Sequence, residues 1–213
     1  MEFISTNLQA YVEAHSDEES VLLANLNRDT YNKVMLPRML SGQLQGRMLS
    51  MLSHMIQPKR ILEIGTYTGY SAICMAEGMQ EDGKLITLDI NEELEVMVRG
   101  YFEKAGLTQK IDYRIGNAME LIPEIDETFD LVFIDADKKN YTNYFNLVFE
   151  KVRPGGFIIG DNVLWSGKVV QTEKKTDKDT QAILDFNRFV HEDDRVENVL
   201  FPVRDGLMVI RKK

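Results

Sequence analysis

A single cysteine, Cys74, and three histidines, His15, His54 and His191, leave little soft or nitrogen-based chemistry in these 213 residues. One cysteine excludes an internal disulfide framework and points to a reducing compartment. The histidines lie outside every motif described below and read as surface or packing residues. A zinc site or a histidine base therefore has little support. No apolar run approaches the roughly 18 residues of a membrane span. Met1 to Gln9 lacks both the basic start and the apolar stretch of a signal peptide, so a cytoplasmic location and no membrane partner are expected. A basic excess is missing too. With 25 Lys and Arg against 34 Asp and Glu, the net charge of −9 argues against broad, non-specific nucleic-acid binding. The lysine-bearing run from Lys168 to Lys178 reads as a solvated loop within that acidic whole. Internal repeats, low-complexity segments and linkers are also absent. Residues 1–213 read as one domain, with a helical cap over 1–58 and an α/β core over 59–213.

What is there begins with helices. Phe3, Ile4, Leu8, Tyr11 and Val12 recur at helical spacing, and Ser16 with Glu19 fits a capping box for a second helix. Leu44, Met48, Met51, Leu52 and Met55 form a third apolar stripe, expected to fill core and closed by Pro58. Between them, Met39 to Gly46 reads as a loop passing over a sheet. From Arg60 the pattern alternates. Strands are expected at Arg60–Ile64, Lys84–Leu88, Ile111–Ile115, Phe129–Ile134 and Gly156–Gly160. Helices follow from Tyr70, over Leu94–Ala105, over Tyr141–Val152 and over Thr176–Val190. Val196–Phe201 and Leu207–Ile210 flank Arg204-Asp205-Gly206 as a hairpin. Such alternation implies a three-layer, Rossmann-like α/β fold: a mostly parallel seven-stranded sheet with an antiparallel C-terminal hairpin.

In an open α/β sheet, ligands bind beyond the carboxyl ends of the strands. Four such ends carry chemistry. The first strand ends in Glu63 and Ile64 and is followed by Gly65 and Gly69, whose G-x-x-x-G spacing lacks the full dinucleotide fingerprint. Glu63 would repel a phosphate but suits an amine, and Asp89, ending strand two, is placed for a ribose. A ligand with ribose, amine and no phosphate matches S-adenosylmethionine better than NAD or ATP. A glycine turn made for packing alone, and Asp89 as a helix cap, are the structural alternatives. After Ile134 comes Asp135-Ala136-Asp137-Lys138-Lys139, and after Gly160 come Asp161 and Asn162. Asp135, Asp161 and Asn162 offer hard oxygens suited to Mg²⁺ or a similar divalent cation such as Mn²⁺ or Ca²⁺. Their structural alternative is helix capping, and Asp137 reads as a supporting or capping group.

The segments LEIGTYTGYSA, TLD at 87–89, FDLVFIDADKKNY and GGFIIGDNVLWSGKV resemble the cation-dependent O-methyltransferases of the caffeoyl-CoA and catechol type. The resemblance covers roughly residues 35–213. It implies Asp135, Asp161 and Asn162 as metal ligands and Lys138 as the catalytic lysine. Contacts to S-adenosylmethionine fall to Met39, Ser41, Glu63, Gly65, Ser71, Asp89 and Ala118, with Asp135 beside them. The acceptor would be a small molecule with adjacent oxygens, phenolic or a CoA ester. A second candidate is transfer RNA carrying 5-hydroxyuridine, with Arg38, Arg47, Lys139, Lys168, Lys174 and Lys175 facing phosphates. Asp137 stands where animal catechol enzymes carry an aromatic residue, and Trp165 is placed either to stack on a planar acceptor or to anchor its loop. A non-catalytic cofactor-binding protein and an NAD-dependent oxidoreductase are the readings from other classes. A homodimer is expected.

Overall fold

The computed structural model describes residues 5–171 and 176–213. In chain order the elements are α1 Thr6–Ala14, α2 Val21–Lys33, α3 Gly42–Ile56, β1 Arg60–Ile64, α4 Tyr70–Ala76, β2 Lys84–Asp89, α5 Glu95–Lys104 and β3 Ile111–Ile115. They continue with α6 Ala118–Glu124, β4 Phe129–Ile134, α7 Tyr141–Phe149, β5 Val152–Asp161, α8 Lys178–Glu192, β6 Val196–Phe201 and β7 Leu207–Lys212. The strand order is β3-β2-β1-β4-β5-β7-β6. The first five are parallel, and β7 runs antiparallel between β5 and β6.

Alternation along the central strands feeds two cores. Leu62, Ile64, Val132 and Ile134 pack with α6, α7 and α8 on one face, around Phe145 and Phe186. Ile61, Leu131 and Phe133 pack with α2, α4 and α5 on the other, around Tyr70 and Phe102. A strand apolar on both sides is the signature of a sheet centre, and β4 lies there. Because β1 and β4 are neighbours whose following helices cover opposite faces, the chain reverses direction between them. Their carboxyl ends open a crevice at that switch point.

Several local expectations change. Ser16 does not cap α2. Its hydroxyl turns back to donate to Val12 O, and Ser20 caps instead, accepting from Leu23 N. Glu19 takes a tertiary role, accepting from the Tyr70 hydroxyl. The α3 stripe is only partly core: Met48 and Leu52 pack, partly buried, against it, and Met51 and Met55 do not. The face turned inward carries Gln45, Gly46, Leu49, Ser50 and Ser53, whereas Met51 and Met55 are 59% and 76% exposed. Small residues are required inside because α3 lies tight against α4, where a Cβ on Gly46 would meet the Tyr70 ring at 2.6 Å. The expected loop over 39–46 becomes a 3-10 turn, Pro37–Met39, followed at once by α3. Val152 opens β5 rather than closing α7. A register shift opposite Phe129 and Leu131 absorbs Pro154-Gly155-Gly156 within the strand. Helix α8 starts at Lys178 because Asp177 caps it through Thr180 N. Phe3 and Ile4 lie outside the described residues.

The candidate active site

The turn after β1 is shaped by its glycines. Gly65 and Gly69 have φ of 103° and 84°, conformations that suit glycine. A Cβ on Gly65 would strike the Asp135 carbonyl oxygen, so glycine here lets the ends of β1 and β4 touch. A narrow cleft opens at this point, lined by Met39, Ser41, Gly65, Thr66, Ser71 and Asp135 among others. Five of the expected cofactor residues therefore share one cavity.

Glu63 lies beneath that cleft, fully buried. It accepts from Ser71 Oγ and from Thr87 Oγ1, each at 2.5 Å. Burial pushes its carboxyl up to about 8, opposed by those two hydrogen bonds. Asp89 is no helix cap; Asn91 fills that role, accepting from Glu93 N. Instead Asp89 accepts from Tyr67 N at 2.6 Å and from Asn91 N at 2.8 Å, joining the end of β2 to the glycine turn. Ala118 opens α6 just past β3, at the carboxyl edge of the sheet.

The second cluster centres on Lys138, whose side chain is 8% exposed. Its ammonium donates to Asp135 Oδ1 at 3.1 Å, Asn162 Oδ1 at 2.9 Å and Tyr141 Oη at 2.5 Å. Asn162 can turn inward because its backbone is left-handed, with φ of 57°. Asp161 is 3% exposed. Burial, reinforced by the neighbouring Asp135 charge, pushes its carboxyl up to about 7. Its Oδ1 accepts from Asn162 N and its Oδ2 from Gln45 Nε2. Among the described residues, no group of three His, Cys, Asp or Glu is placed to hold a metal. The expected set, two carboxylates and an amide, is of a different composition. Its chemistry fits a hard cation, because the side-chain oxygens of Asp135 and Asn162 already converge on one positive charge beside Asp161.

Asp137 supports its neighbours: it accepts from the Tyr144 hydroxyl and from Asn140 Nδ2. Trp165 lies with its ring 5.8 Å from Lys138 Nζ and 5.7 Å from Lys168 Nζ. Both proposed uses of Trp165 fit, since it is also packed against the core. The cations expected to face phosphates are mostly engaged. Arg47 pairs with Glu77, Lys168 with Asp177, and Lys139 reaches Asp179 at 3.9 Å. Arg38 is exposed, and Lys174 and Lys175 lie outside the described residues. His15 Nδ1 and His54 Nδ1 each lie 2.8 Å from a carbonyl oxygen one turn back, Tyr11 O and Ser50 O. No helix among the described residues is long and apolar enough to cross a membrane.

The sequence assigns no functional role to Gln45, Tyr141 or Arg204: Tyr141 reads as a helix-stripe residue and Arg204 as part of the hairpin turn. For Gln45 the available signal was polarity on the inner face of an otherwise apolar helix.

Comparison with known proteins follows the same lines. A family model described as O-methyltransferase matches residues 13–213. Caffeoyl-CoA O-methyltransferase 1 of Arabidopsis thaliana is 38% identical over 179 residues, covering 79% of this chain and 69% of the plant protein. The crystal structure of the O-methyltransferase from Bacillus cereus with S-adenosylhomocysteine superposes with a TM-score of 0.90 at 30% identity, covering 98% of both chains. A methyltransferase of Podospora anserina, also bound to S-adenosylhomocysteine, gives 0.89 at 29%, covering 97% of this chain and 94% of the other.

Proposed function

This chain belongs to the O-methyltransferase family and is an S-adenosylmethionine-dependent enzyme; from that premise we propose that it methylates a hydroxyl on an acceptor with two adjacent oxygens, aided by a divalent cation. The observation that carries the reading is the meeting of Asp135 and Asn162 on the Lys138 ammonium, with buried Asp161 beside them.

Asp135, Asp161 and Asn162 would hold the cation, Mg²⁺ or a similar hard ion, as a set of oxygen donors. When bound, the ion supplies Lewis-acid stabilisation of an acceptor oxygen whose pKa as a free phenol is about 10. Lys138 would hold the acceptor's oxyanion as an ammonium, or take the hydroxyl proton at Nζ after giving up one of its own, at a position fixed by Tyr141. Glu63 and Ser71 present a polar floor to the cofactor's amino acid end, Asp89 and Ala118 face its nucleoside, and Met39 and Ser41 cover it. Gly65, lacking a Cβ, leaves room beside Asp135 where the cofactor would lie, and that closeness would help bring the methyl donor and acceptor together.

We assign the acceptor as a small phenolic or catechol-like molecule, or its CoA ester. The pairing of Arg47, Lys139 and Lys168 with acidic partners supports this over transfer RNA, as does the likeness to plant caffeoyl-CoA enzymes. The enzyme is proposed as a homodimer, for which the exposed Met51 and Met55 face of α3 offers an apolar surface. Methyl transfer to caffeoyl-CoA, caffeate and catechol, with Mg²⁺ and with chelator, tests the reaction. Transfer that survives complete chelation would remove the metal. Methylation of 5-hydroxyuridine in transfer RNA, with no small acceptor used, would overturn the acceptor.

A further inference from the structure

Gln45 is 2% exposed and lies between two charged groups far from it in sequence. Its Nε2 donates to Asp161 Oδ2 at 2.5 Å, and its Oε1 accepts from Arg204 NH1 at 3.0 Å. A guanidinium has only donors and a carboxylate only acceptors, so the amide can sit in one sense alone. Arg204 belongs to the turn between β6 and β7 and also reaches Leu40 O, at 3.4 and 3.5 Å. Leu40 lies between Met39 and Ser41, and all three line the cleft beside Gly65. One chain of hydrogen bonds thus joins the lid of the cofactor cleft, the C-terminal hairpin and a buried carboxylate.

We propose that Gln45 and Arg204 are positioning residues: they aim the Asp161 carboxylate and tie that aim to the segment over the cofactor cleft. The proposal rests on the reading of Asp161 as a metal ligand. A partner that fixes a ligating carboxylate commonly changes metal affinity by about 10–100-fold. Because the same guanidinium holds Leu40, filling the cleft and filling the metal site favour one arrangement of the lid, and each strengthens the other reciprocally.

Titration calorimetry of the full-length protein with Mn²⁺, with and without S-adenosylhomocysteine, tests this. Wild type should bind Mn²⁺ several-fold more tightly when S-adenosylhomocysteine is present. Gln45→Leu should weaken Mn²⁺ binding by about tenfold and abolish that enhancement. Arg204→Leu, at an exposed turn where folding is less at risk, should reduce the enhancement, and Arg204→Lys should restore part of it. Wild-type Mn²⁺ affinity and enhancement in both Leu variants, whatever their melting temperatures, would overturn the relay while leaving the metal reading intact. Failure of wild type itself to bind Mn²⁺ in either state would overturn both.

Discussion

Lys138 Nζ donates to Asn162 Oδ1 at 2.9 Å, so the end of the loop after β4 is bonded to the end of β5 through a buried ammonium. That charge sits among the oxygens proposed for a divalent cation. Two cations cannot share such a seat at close range without strong repulsion. If the ion binds as proposed, Lys138 must yield its bonds to Asp135 and Asn162, so the ammonium and the ion would compete for the same oxygens. Lys138→Met should lower kcat by a factor of about 10²–10⁴, the range for a lost general base. In the same variant Mn²⁺ affinity should rise, read by calorimetry. Retained kcat would remove Lys138 from the chemistry, and weaker Mn²⁺ binding would deny the competition.

Glu63 makes stability depend on pH. Its folded carboxyl is raised from 4.5 to about 8 by burial. Between those values the unfolded chain has released its proton while the folded one retains it. The unfolded state therefore binds fewer protons, and stability falls as pH rises through this window. The slope approaches about 1.4 kcal/mol per pH unit at most. Glu63→Gln, which cannot ionise, should flatten that slope between pH 5 and 8 in urea melts, and should weaken S-adenosylhomocysteine binding. An unchanged slope would mean that Glu63 is ionised in the fold.

The strand order and the site followed from different kinds of signal. Alternating apolar runs ending in Glu63, Asp89, Asp135 and Asp161 located the strands and their polar carboxyl ends, because a central parallel strand is apolar on both faces. Where the reading failed, tertiary contact decided. Met51 and Met55 have helical spacing but face outward, since close packing on Tyr70 demanded Gly46 and other small residues inside. Ser16 and Ser20 both suit an N-cap, and only the path of the chain chose Ser20. Gln45 and Arg204 act on Asp161 through pairings that span 116 and 159 residues, and no local pattern encodes such a contact.

Gly65 tests the crevice itself. Its φ of 103° is unfavourable for any side chain, and the Asp135 carbonyl oxygen occupies the space a Cβ would need. Gly65→Ala must spread β1 from β4 or rotate the turn, at a cost of about 1–3 kcal/mol. A fall in melting temperature should come with at least tenfold weaker S-adenosylhomocysteine binding, because the cleft is lined by this backbone. Unaltered affinity would place the cofactor elsewhere.

Tyr141 separates holding from folding. Its hydroxyl accepts from Lys138 at 2.5 Å and donates to Asp161 O at 2.8 Å, with its ring fully buried. Burial also drives its phenol well above the ordinary tyrosine range. Tyr141→Phe keeps the ring against Phe186 and removes only the oxygen. The Asp161 carbonyl then lacks this donor and Lys138 loses one of three anchors, a cost of about 1–3 kcal/mol in stability. Because the ammonium is no longer held in place, kcat should drop by about tenfold while KM for S-adenosylmethionine stays within a few fold. Loss of stability with unchanged kcat would make Tyr141 a packing residue, and the aim of Lys138 would then depend on Asp135 and Asn162 alone.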